Sequence, residues 1–219
     1  TILNNLVASN SEIGIHLVRS SHNRLANNVV EKSPVGIDLN SSSNYNILVD
    51  NDIRSCRDGI YFDYLEPSLF NVLIGNNLSG NSWCGVILYS GHTNLTRNTF
   101  VSNGVGLAII SGHNNVSENV FISNSVGIEI LGTSNNISHN VIERGWRGIW
   151  IVYSGTQHNT IQENVVRLNT VGIELTWGPK SNTIVDNEVI DNKKYGIHAT
   201  GTNLSLIHIS EPTRLGMSS

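Results

Sequence analysis

Hydrophobic and polar residues alternate along the chain in short runs, and the runs recur with a nearly constant period. Each repeat contains a glycine followed by an aliphatic residue, a variable residue and usually a second aliphatic residue. This glycine motif occurs nine times, first as Gly14-Ile15-His16-Leu17 and last as Gly196-Ile197-His198-Ala199. Successive glycines lie 22, 23, 26, 21, 21, 21, 24 and 24 residues apart. A repeat of this length predicts a solenoid, in which each coil buries its apolar face against its neighbours.

The alternation within one repeat predicts β-strands. In residues 127–147, aliphatic residues alternate with polar ones in runs bounded by Gly, Ser and Asn, and no helical period is present. A repeat of this length accommodates three short strands and three bends, and each strand is expected to pair in parallel with its copy one coil away. Two columns of inward side chains are expected, one from Ile15 to Ile197 and one from Leu17 to Leu175.

Asparagine recurs at fixed places, which predicts ladders of side chains along the solenoid. The first predicted column contains Asn5, Asn28, Asn51, Asn77, Asn98, Asn119, Asn140, Asn164 and Asn187. A weaker column five residues later contains Asn10, Asn103, Asn124, Asn169 and Asn192. Asparagine tolerates a left-handed backbone at bends, and its amide both donates and accepts hydrogen bonds. We therefore interpret both columns as structural.

The glycine motif and the asparagine columns together resemble the right-handed parallel β-helix repeat family, with its pectin-lyase-like fold. The resemblance is closest to NosD-type and carbohydrate-binding or sugar-hydrolase repeats. It covers residues 1–203 and implies an all-β, right-handed parallel β-helix of about nine coils. Most members act outside the cytoplasm, so the resemblance implies an extracytoplasmic location.

The resemblance implies less about activity. The family includes polysaccharide lyases, hydrolases and epimerases, a periplasmic accessory protein of copper-enzyme maturation, and cell-surface proteins. Neither the paired aspartates and Gly-His-Gly pattern of polygalacturonases nor the Asp-Pro-His string of alginate epimerases occurs in this chain. The enzyme hypothesis is weakened by this difference and stays open.

The repeat stops after Asn203. The string from Leu204 to Arg214 resembles the translation of a sequencing adapter, so residues 204–219 are predicted not to be native. Residues 1–203 are then one domain, and adjoining coils or domains are expected to be missing. The alternative is a genuine terminal strand and tail.

Composition excludes several classes of function. Charged residues make up 14% of the chain and the formal net charge is −4, which gives no reason to expect nucleic-acid binding, since that needs a basic face. No apolar run approaches the ~20 residues that span a bilayer. Cys56 and Cys84 lie at different offsets from their glycines and are interpreted as buried free thiols.

Aromatic residues concentrate at outward positions near the repeat glycines, which predicts a carbohydrate-binding face. Flat rings cover the apolar faces of sugars, and carboxylates accept hydrogen bonds from hydroxyls. The predicted stacking platforms are Tyr61, Tyr64, Tyr89, Trp150, Tyr153 and Trp177. Asp63, Glu129 and Glu174 are expected to bond hydroxyls, and Arg147 to meet an acidic group. The alternative is that the rings only seal a sheet face or bind a missing segment.

Glu129 and Glu174 are also candidates for catalysis. They lie two coils apart with Trp150 between them, which corresponds to about 9–10 Å at ~4.8 Å per coil. The carboxyl groups of inverting glycosidases are about 6.5–9.5 Å apart. One carboxyl group is then the acid and the other the base. The alternative is a pair of ordinary solvated carboxylates.

Four histidines share one bend position: His22, His92, His113 and His158. His92 and His113 lie on adjacent coils, so their rings are expected about 5 Å apart. A metal site needs three or four suitable ligands, and two imidazoles do not complete one. No metal and no cofactor is therefore predicted.

Three functions fit these observations. The first is an extracytoplasmic β-helix that binds a polysaccharide or cell-surface glycan along the aromatic face and, as an enzyme, is a polysaccharide hydrolase or lyase. The second is a non-catalytic surface or structural module. The third is a NosD-like periplasmic accessory protein of copper-enzyme maturation. We favour the first, with no nucleic-acid partner and no membrane span.

Overall fold

The protein is a parallel β-solenoid. The computed structural model describes residues 1–201 and the backbone of residues 206–209. Each complete coil contributes one strand to each of three sheets, and each strand pairs in parallel with its copies in adjoining coils. The described residues form strands and bends without a helix. This confirms the predicted all-β solenoid of about nine coils with three short strands in each.

The strands divide among the sheets as follows. Sheet 1 contains β1 (Ile2–Leu3), β4 (Arg24–Ala26), β7 (Ile47–Val49), β10 (Val72–Ile74), β13 (Asn94–Thr96), β16 (Asn115–Ser117), β19 (Asn136–Ser138), β22 (Thr160–Gln162), β25 (Thr183–Ile190) and β27 (Leu206–Ile209). Sheet 2 shares β25 and contains β2 (Leu6–Ala8), β5 (Val29–Glu31), β8 (Asp52–Arg54), β11 (Asn77–Ser79), β14 (Thr99–Val101), β17 (Val120–Ile122), β20 (Val141–Glu143) and β23 (Val165–Arg167). Sheet 3 contains β3 (Ile13–Val18), β6 (Val35–Asn40), β9 (Asp58–Phe62), β12 (Cys84–Leu88), β15 (Val105–Ile109), β18 (Val126–Ile130), β21 (Arg147–Val152), β24 (Val171–Thr176) and β26 (Tyr195–Ala199).

The core is built from columns of identical or similar apolar side chains. Both inward columns predicted for sheet 3 lie in register and pack into one continuous core with columns from sheets 1 and 2. Phe100 and Phe121 of sheet 2 stack at 4.4 Å within it. Cys56 and Cys84 are buried and free, as predicted. Burying one such apolar side chain contributes about 1.5–3 kcal/mol, so stability comes from the stacking of coils.

The motif glycines mark places where neighbouring coils approach too closely for a side chain. A Cβ at Gly106 would lie 2.6 Å from the carbonyl oxygen of Gly127. The same clash with the carbonyl of the following motif glycine, at 2.4–2.6 Å, recurs from Gly14 to Gly172. At Gly196, by contrast, the nearest atom among the described residues is a side-chain carbon 3.7 Å away. None of these glycines has positive φ, so close packing explains the motif.

Buried asparagines form three ladders, of which two were predicted. The first ladder contains Asn76 in place of the predicted Asn77, because Asn77 begins β11 and donates sideways to Asp52 at 2.8 Å. The second ladder also includes Asn81. The third precedes the strands of sheet 1 and was missed; its members are Asn23, Asn46, Asn71, Thr93, Asn114, Asn135, Asn159 and Asn182.

Asn119 shows how one ladder position joins three coils. Its Oδ1 accepts hydrogen bonds from the backbone N–H and the side-chain amide of Asn98, at 2.9 and 3.0 Å. Its own amide donates to the carbonyl of Leu95 at 3.0 Å and to Oδ1 of Asn140 at 3.0 Å. These bonds satisfy backbone groups that lie buried between the strands, where an unpaired group is costly.

The prediction for residues 204–219 falls mainly outside the described residues. Only the backbone of β27 within that segment is described, and it pairs in parallel with β25. The assignment of this segment as non-native therefore stays a prediction.

We expect Gly106→Ala to destabilise the protein, since the new methyl group meets a carbonyl of the next coil. Overpacking of this kind costs about 1–3 kcal/mol in the free energy of unfolding. Gly196→Ala is the matched control, because its Cβ makes only an ordinary van der Waals contact among the described residues, and its stability should match or slightly exceed that of the parent. Chemical denaturation of both variants measures the difference, and equal stabilities would contradict the packing argument.

Asn119→Leu should lower the free energy of unfolding by at least about 2 kcal/mol, because it removes the acceptor of two donors and the donor of buried carbonyls. The same substitution at the exposed Asn94 of β13 should change it by no more than about 0.5 kcal/mol. Thermal and denaturant unfolding of the two variants would test this. A similar loss at both positions would show that the ladder bonds do not carry the effect.

Candidate functional site

The outward side of sheet 3 carries most of the unusual side chains. One column runs through the residue two positions after each motif glycine, and its members are His16, Asp38, Tyr61, Ile87, Ala108, Glu129, Trp150, Glu174 and His198. The residue just before the glycine also turns outward, because the glycine interrupts the strand's alternation; Arg147 reaches Glu174 from this position. We call this side of sheet 3, with its flanking bends, the outer face.

An ion-pair network occupies the seventh to ninth coils of the outer face. The Arg147 Nε–H donates to one carboxylate oxygen of Glu174, and Nδ1 of His198 lies 3.1 Å from the other. The Arg147 guanidinium carbon is 3.7 Å from the ring centre of Trp146 and 4.2 Å from that of Trp150. Arg147 was expected to meet an acidic group of a ligand, but its charge is already paired with the buried Glu174.

Exposed aromatic rings lie beside this network. The Trp177 ring is 5.2 Å from that of Tyr153 on the preceding coil and 6.0 Å, edge-on, from that of Trp150. Trp177 is 61% exposed and Tyr153 52% exposed. Trp150 is half-buried, and its indole N–H donates to the Thr176 hydroxyl at 2.9 Å. The three predicted platforms of this end therefore form one contiguous aromatic surface.

The other predicted platforms meet on the third and fourth coils. The ring of Tyr89 lies 5.8 Å from that of Tyr61 and 5.6 Å from that of Tyr64. Asp63 accepts a hydrogen bond from the backbone N–H of Tyr64 at 2.8 Å. Burial raises the pKa of Tyr61 to about 12, and the nearby Tyr89, Asp63, Asp38 and Tyr64 add to that effect. Tyr61 is therefore a neutral phenol that can donate and accept hydrogen bonds.

A cavity of about 340 Å³ opens beside this cluster, lined by Arg57, Asp58, Tyr61, Trp83 and Ile87. Arg57 donates through Nε and Nη2 to Oδ2 of Asp58, both at 2.9 Å. Asp58 is only 2% exposed, and its Oδ1 has no hydrogen-bond partner among the described residues. Trp83, at 64% exposure, forms one wall. Arg57, Asp58 and Trp83 were not predicted as site residues; their signal was their position one or two residues before a motif glycine.

A second buried carboxylate lies one coil away. Asp38 is paired with Nε2 of His16 at 3.1 Å through Oδ2, and its Oδ1 has no hydrogen-bond partner among the described residues. Burial raises the pKa of Asp38; the charge of His16 opposes this shift, and that of Asp63 adds to it. The first three coils thus bring acidic groups together on the outer face.

An apolar strip separates the two ends of the outer face. Cys84, Ile87 and Ala108 are buried there, with Tyr61, Tyr89, Val105 and Ile110 packed around them. The predicted carbohydrate-binding residues therefore form two groups. Tyr61, Asp63, Tyr64 and Tyr89 lie at one end, and Arg147, Trp150, Tyr153 and Trp177 at the other.

The candidate catalytic pair spans three coils as expected from the register, with Trp150 opposite both Glu129 and Glu174. Burial raises the pKa of Glu129, and the charge of Arg147 opposes that shift. This environment suits a proton donor. Glu174 has both oxygens engaged by Arg147 and His198, so it holds these side chains in place.

Three histidines of the bend column, His22, His92 and His113, belong to a longer stack of rings. The rings of His92 and His113 are 5.1 Å apart, which confirms the expected spacing. Tyr45 and Phe70 extend the stack to His22 at intervals of 5.0–5.1 Å, and the sequence analysis missed both. Within residues 1–201, no group of three or more His, Cys, Asp or Glu side chains is placed to hold a metal ion.

No helix in the described part of the chain is long and apolar enough to cross a membrane.

Two solved structures share this fold. The A-module of mannuronan C-5 epimerase AlgE6 from Azotobacter vinelandii aligns with a TM-score of 0.68 and 12% identity over 93% of this chain and 58% of that one. The A-module of AlgE4 from the same organism aligns with a TM-score of 0.58 and 13% identity, over 85% of this chain and 63% of that one. The chain thus spans about three fifths of each module. Identities this low show the fold alone.

Comparison of sequences gives the family. No curated protein matches the chain. The family described as the right-handed β-helix region matches residues 1–141 and, in an overlapping second match, residues 68–209. Together with the coil-by-coil register of the three sheets, these matches show that the chain belongs to the right-handed β-helix family.

Proposed function

We propose that the protein binds a polysaccharide or cell-surface glycan along the outer face. The observation that carries this proposal is the pair Tyr153 and Trp177, two rings in contact on adjacent coils that are each more than half exposed. Large exposed aromatic surfaces are costly in water and usually mark binding sites. Sugar rings match such surfaces, because their apolar faces stack on aromatic rings while their hydroxyls bond to neighbouring polar groups.

The spacing of the platforms favours a polymer. Tyr64, on the third coil, is exposed like Trp177 on the eighth. Five coil steps of about 4.8 Å separate them along the axis, about 24 Å in total. A single sugar contacts only one of these platforms, whereas an extended chain contacts both.

The structural neighbours support a carbohydrate-related role. Both are modules of epimerases that act on a polysaccharide, mannuronan. This chain shares their fold at low identity, so its own ligand has to be inferred from its own side chains. We extend the proposal to an extracytoplasmic location, where a protein encounters polysaccharides and cell-surface glycans.

Cleavage of the bound glycan is a secondary proposal. Glu129 is the carboxyl group suited to donate a proton, because its pKa is raised by burial. Glu174 is less suited to act as the base, since both of its oxygens are already paired. If the pair is catalytic, Glu129→Gln should abolish release of reducing ends from the bound glycan. Full activity in this variant would exclude the proposed acid.

Trp177→Ala should weaken glycan binding by about tenfold or more, equivalent to about 1.4 kcal/mol of lost stacking. Tyr45→Ala is the control, because Tyr45 is also exposed and stacked on another ring but lies off the outer face. The two residues share a left-handed backbone conformation, with φ of 56° at Tyr45 and 63° at Trp177. A glycan array followed by titration calorimetry of both folded variants measures the effect.

Two results would contradict the proposal. Absence of binding to every glycan by the folded parent protein would favour the structural-module or accessory-protein alternatives. Equal loss in Trp177→Ala and Tyr45→Ala would show that binding does not depend on the outer face.

A further inference from the structure

The charges on the outer face restrict which glycan it can accept, an inference that rests on the proposed glycan-binding function. We propose that the outer face selects amino-sugar polymers over polyuronates, and that the cavity lined by Asp58 and Trp83 is where an ammonium-bearing sugar ring binds. Amino-sugar polymers differ from mannuronan, the polymer named for the structural neighbours.

The first argument is the charge balance around the cavity. Sheet 3 and its flanking bends on the second to fourth coils cover residues 34–41, 57–66 and 83–90, and their charged side chains are Asp38, Arg57, Asp58, Asp63 and Glu66. Four acidic groups thus accompany one permanent cation, which is itself paired with Asp58; His16 on the first coil pairs with Asp38 and is a cation only when protonated. A polyanionic ligand would meet like charges here, whereas a cationic ligand is attracted.

The second argument is the distribution of donors and acceptors. An ionised carboxylate only accepts hydrogen bonds. The Oδ1 atoms of Asp58 and Asp38 are buried and lack a partner among the described residues, and an unsatisfied buried acceptor is unfavourable. An ammonium group or a hydroxyl supplies the missing donor at Asp58 when that nearly enclosed side chain shifts toward the cavity that it lines. A ligand carboxylate adds only further acceptors.

The third argument is the shape and chemistry of the cavity. Its volume of about 340 Å³ falls within the usual range of small-ligand sites, about 300–1,000 Å³. Trp83 presents an exposed ring at one wall, and Ile87 provides apolar surface. An ammonium group close to a tryptophan face gains a cation–π contact in addition to the attraction of Asp58. These groups together suit an aminated sugar ring.

The other end of the outer face does not offset this preference. Its arginine, Arg147, is bonded to Glu174 and enclosed by Trp146 and Trp150. Glu129 contributes a further carboxyl group nearby. A polyuronate would have to displace Glu174 to reach the guanidinium. Lys194, in the bend before β26, lies 5.0 Å from the ring centre of Tyr195, five coils beyond Trp83. We therefore assign the selection to the end of the outer face that carries the cavity.

The test compares three oligosaccharide sets of equal length: glucosamine oligomers, N-acetylglucosamine oligomers and oligouronates. Titration calorimetry is done with the full chain in a calcium-chelating buffer, at a mildly acidic pH that keeps the amines protonated. We expect glucosamine oligomers to bind at least tenfold more tightly than oligouronates, with the neutral set between them. The difference should shrink as salt is raised, since screening weakens charge attraction.

Two variants locate the selection. Asp58→Asn keeps the shape and removes the charge, and Trp83→Ala removes the exposed wall; each should reduce the preference for glucosamine oligomers at least threefold. Asp50→Asn is the matched control, since Asp50 is exposed at a bend whose equivalents in the two preceding coils are Asn4 and Asn27. Melting temperatures of all variants verify that they fold. Because Trp83 is exposed, Trp83→Ala is expected to fold and still tests the cavity if Asp58→Asn does not fold.

The outcomes separate the two proposals. Oligouronates that bind as tightly as glucosamine oligomers would overturn the inference and leave the glycan-binding function standing. A glucosamine preference that persists in both variants would also overturn it, because the cavity would not be the selecting site. No binding of any set, together with no hit on a glycan array, would instead refute the proposed function.

Discussion

The close approach of successive coils is the constraint on which the rest of the structure depends. Parallel strands pair at about 4.8 Å, so each residue lies directly over its equivalent in the next coil. Three kinds of residue recur most often in this arrangement inside the solenoid. Glycine leaves room for a carbonyl, asparagine bonds to its own copy, and aliphatic residues pack as columns. The repeated residues are therefore consequences of one distance.

The same register creates the outer face. Residues separated by more than twenty positions in the sequence become neighbours, as in the chain of contacts Arg147–Glu174–His198. Where the repeat lengthens to 26 residues between Gly59 and Gly85, the additional residues form a bend after β9 that carries Tyr64. Regular coils thus hold the strands rigidly, while the bends admit chain-specific side chains.

The columns of sheet 3 could be predicted from the sequence because the glycine motif marks every repeat. The asparagine ladders were harder to predict from the sequence. Asn76 and Asn77 are adjacent, and in the lengthened repeat a constant offset from the glycine no longer distinguishes them. The third ladder was missed because Thr93 interrupts it and bends of variable length separate its members from the motif. Where the repeat length varies, the members of a hydrogen-bonded ladder can therefore be identified only from the structure.

The roles of charged side chains on the outer face depended most on the structure. Arg147 and Glu174 were both assigned to this face from the sequence, but nothing in the spacing showed that Arg147 bonds to Glu174 of the next coil and not to a ligand. That bond converts an apparently available cation into a paired one. Among the described residues, the buried polar atoms left without a hydrogen-bond partner are carboxylate oxygens of Asp38 and Asp58 on this face. Since many proteins share the coil architecture, the proposed ligand selection rests on the outer-face charges of this chain and not on its fold.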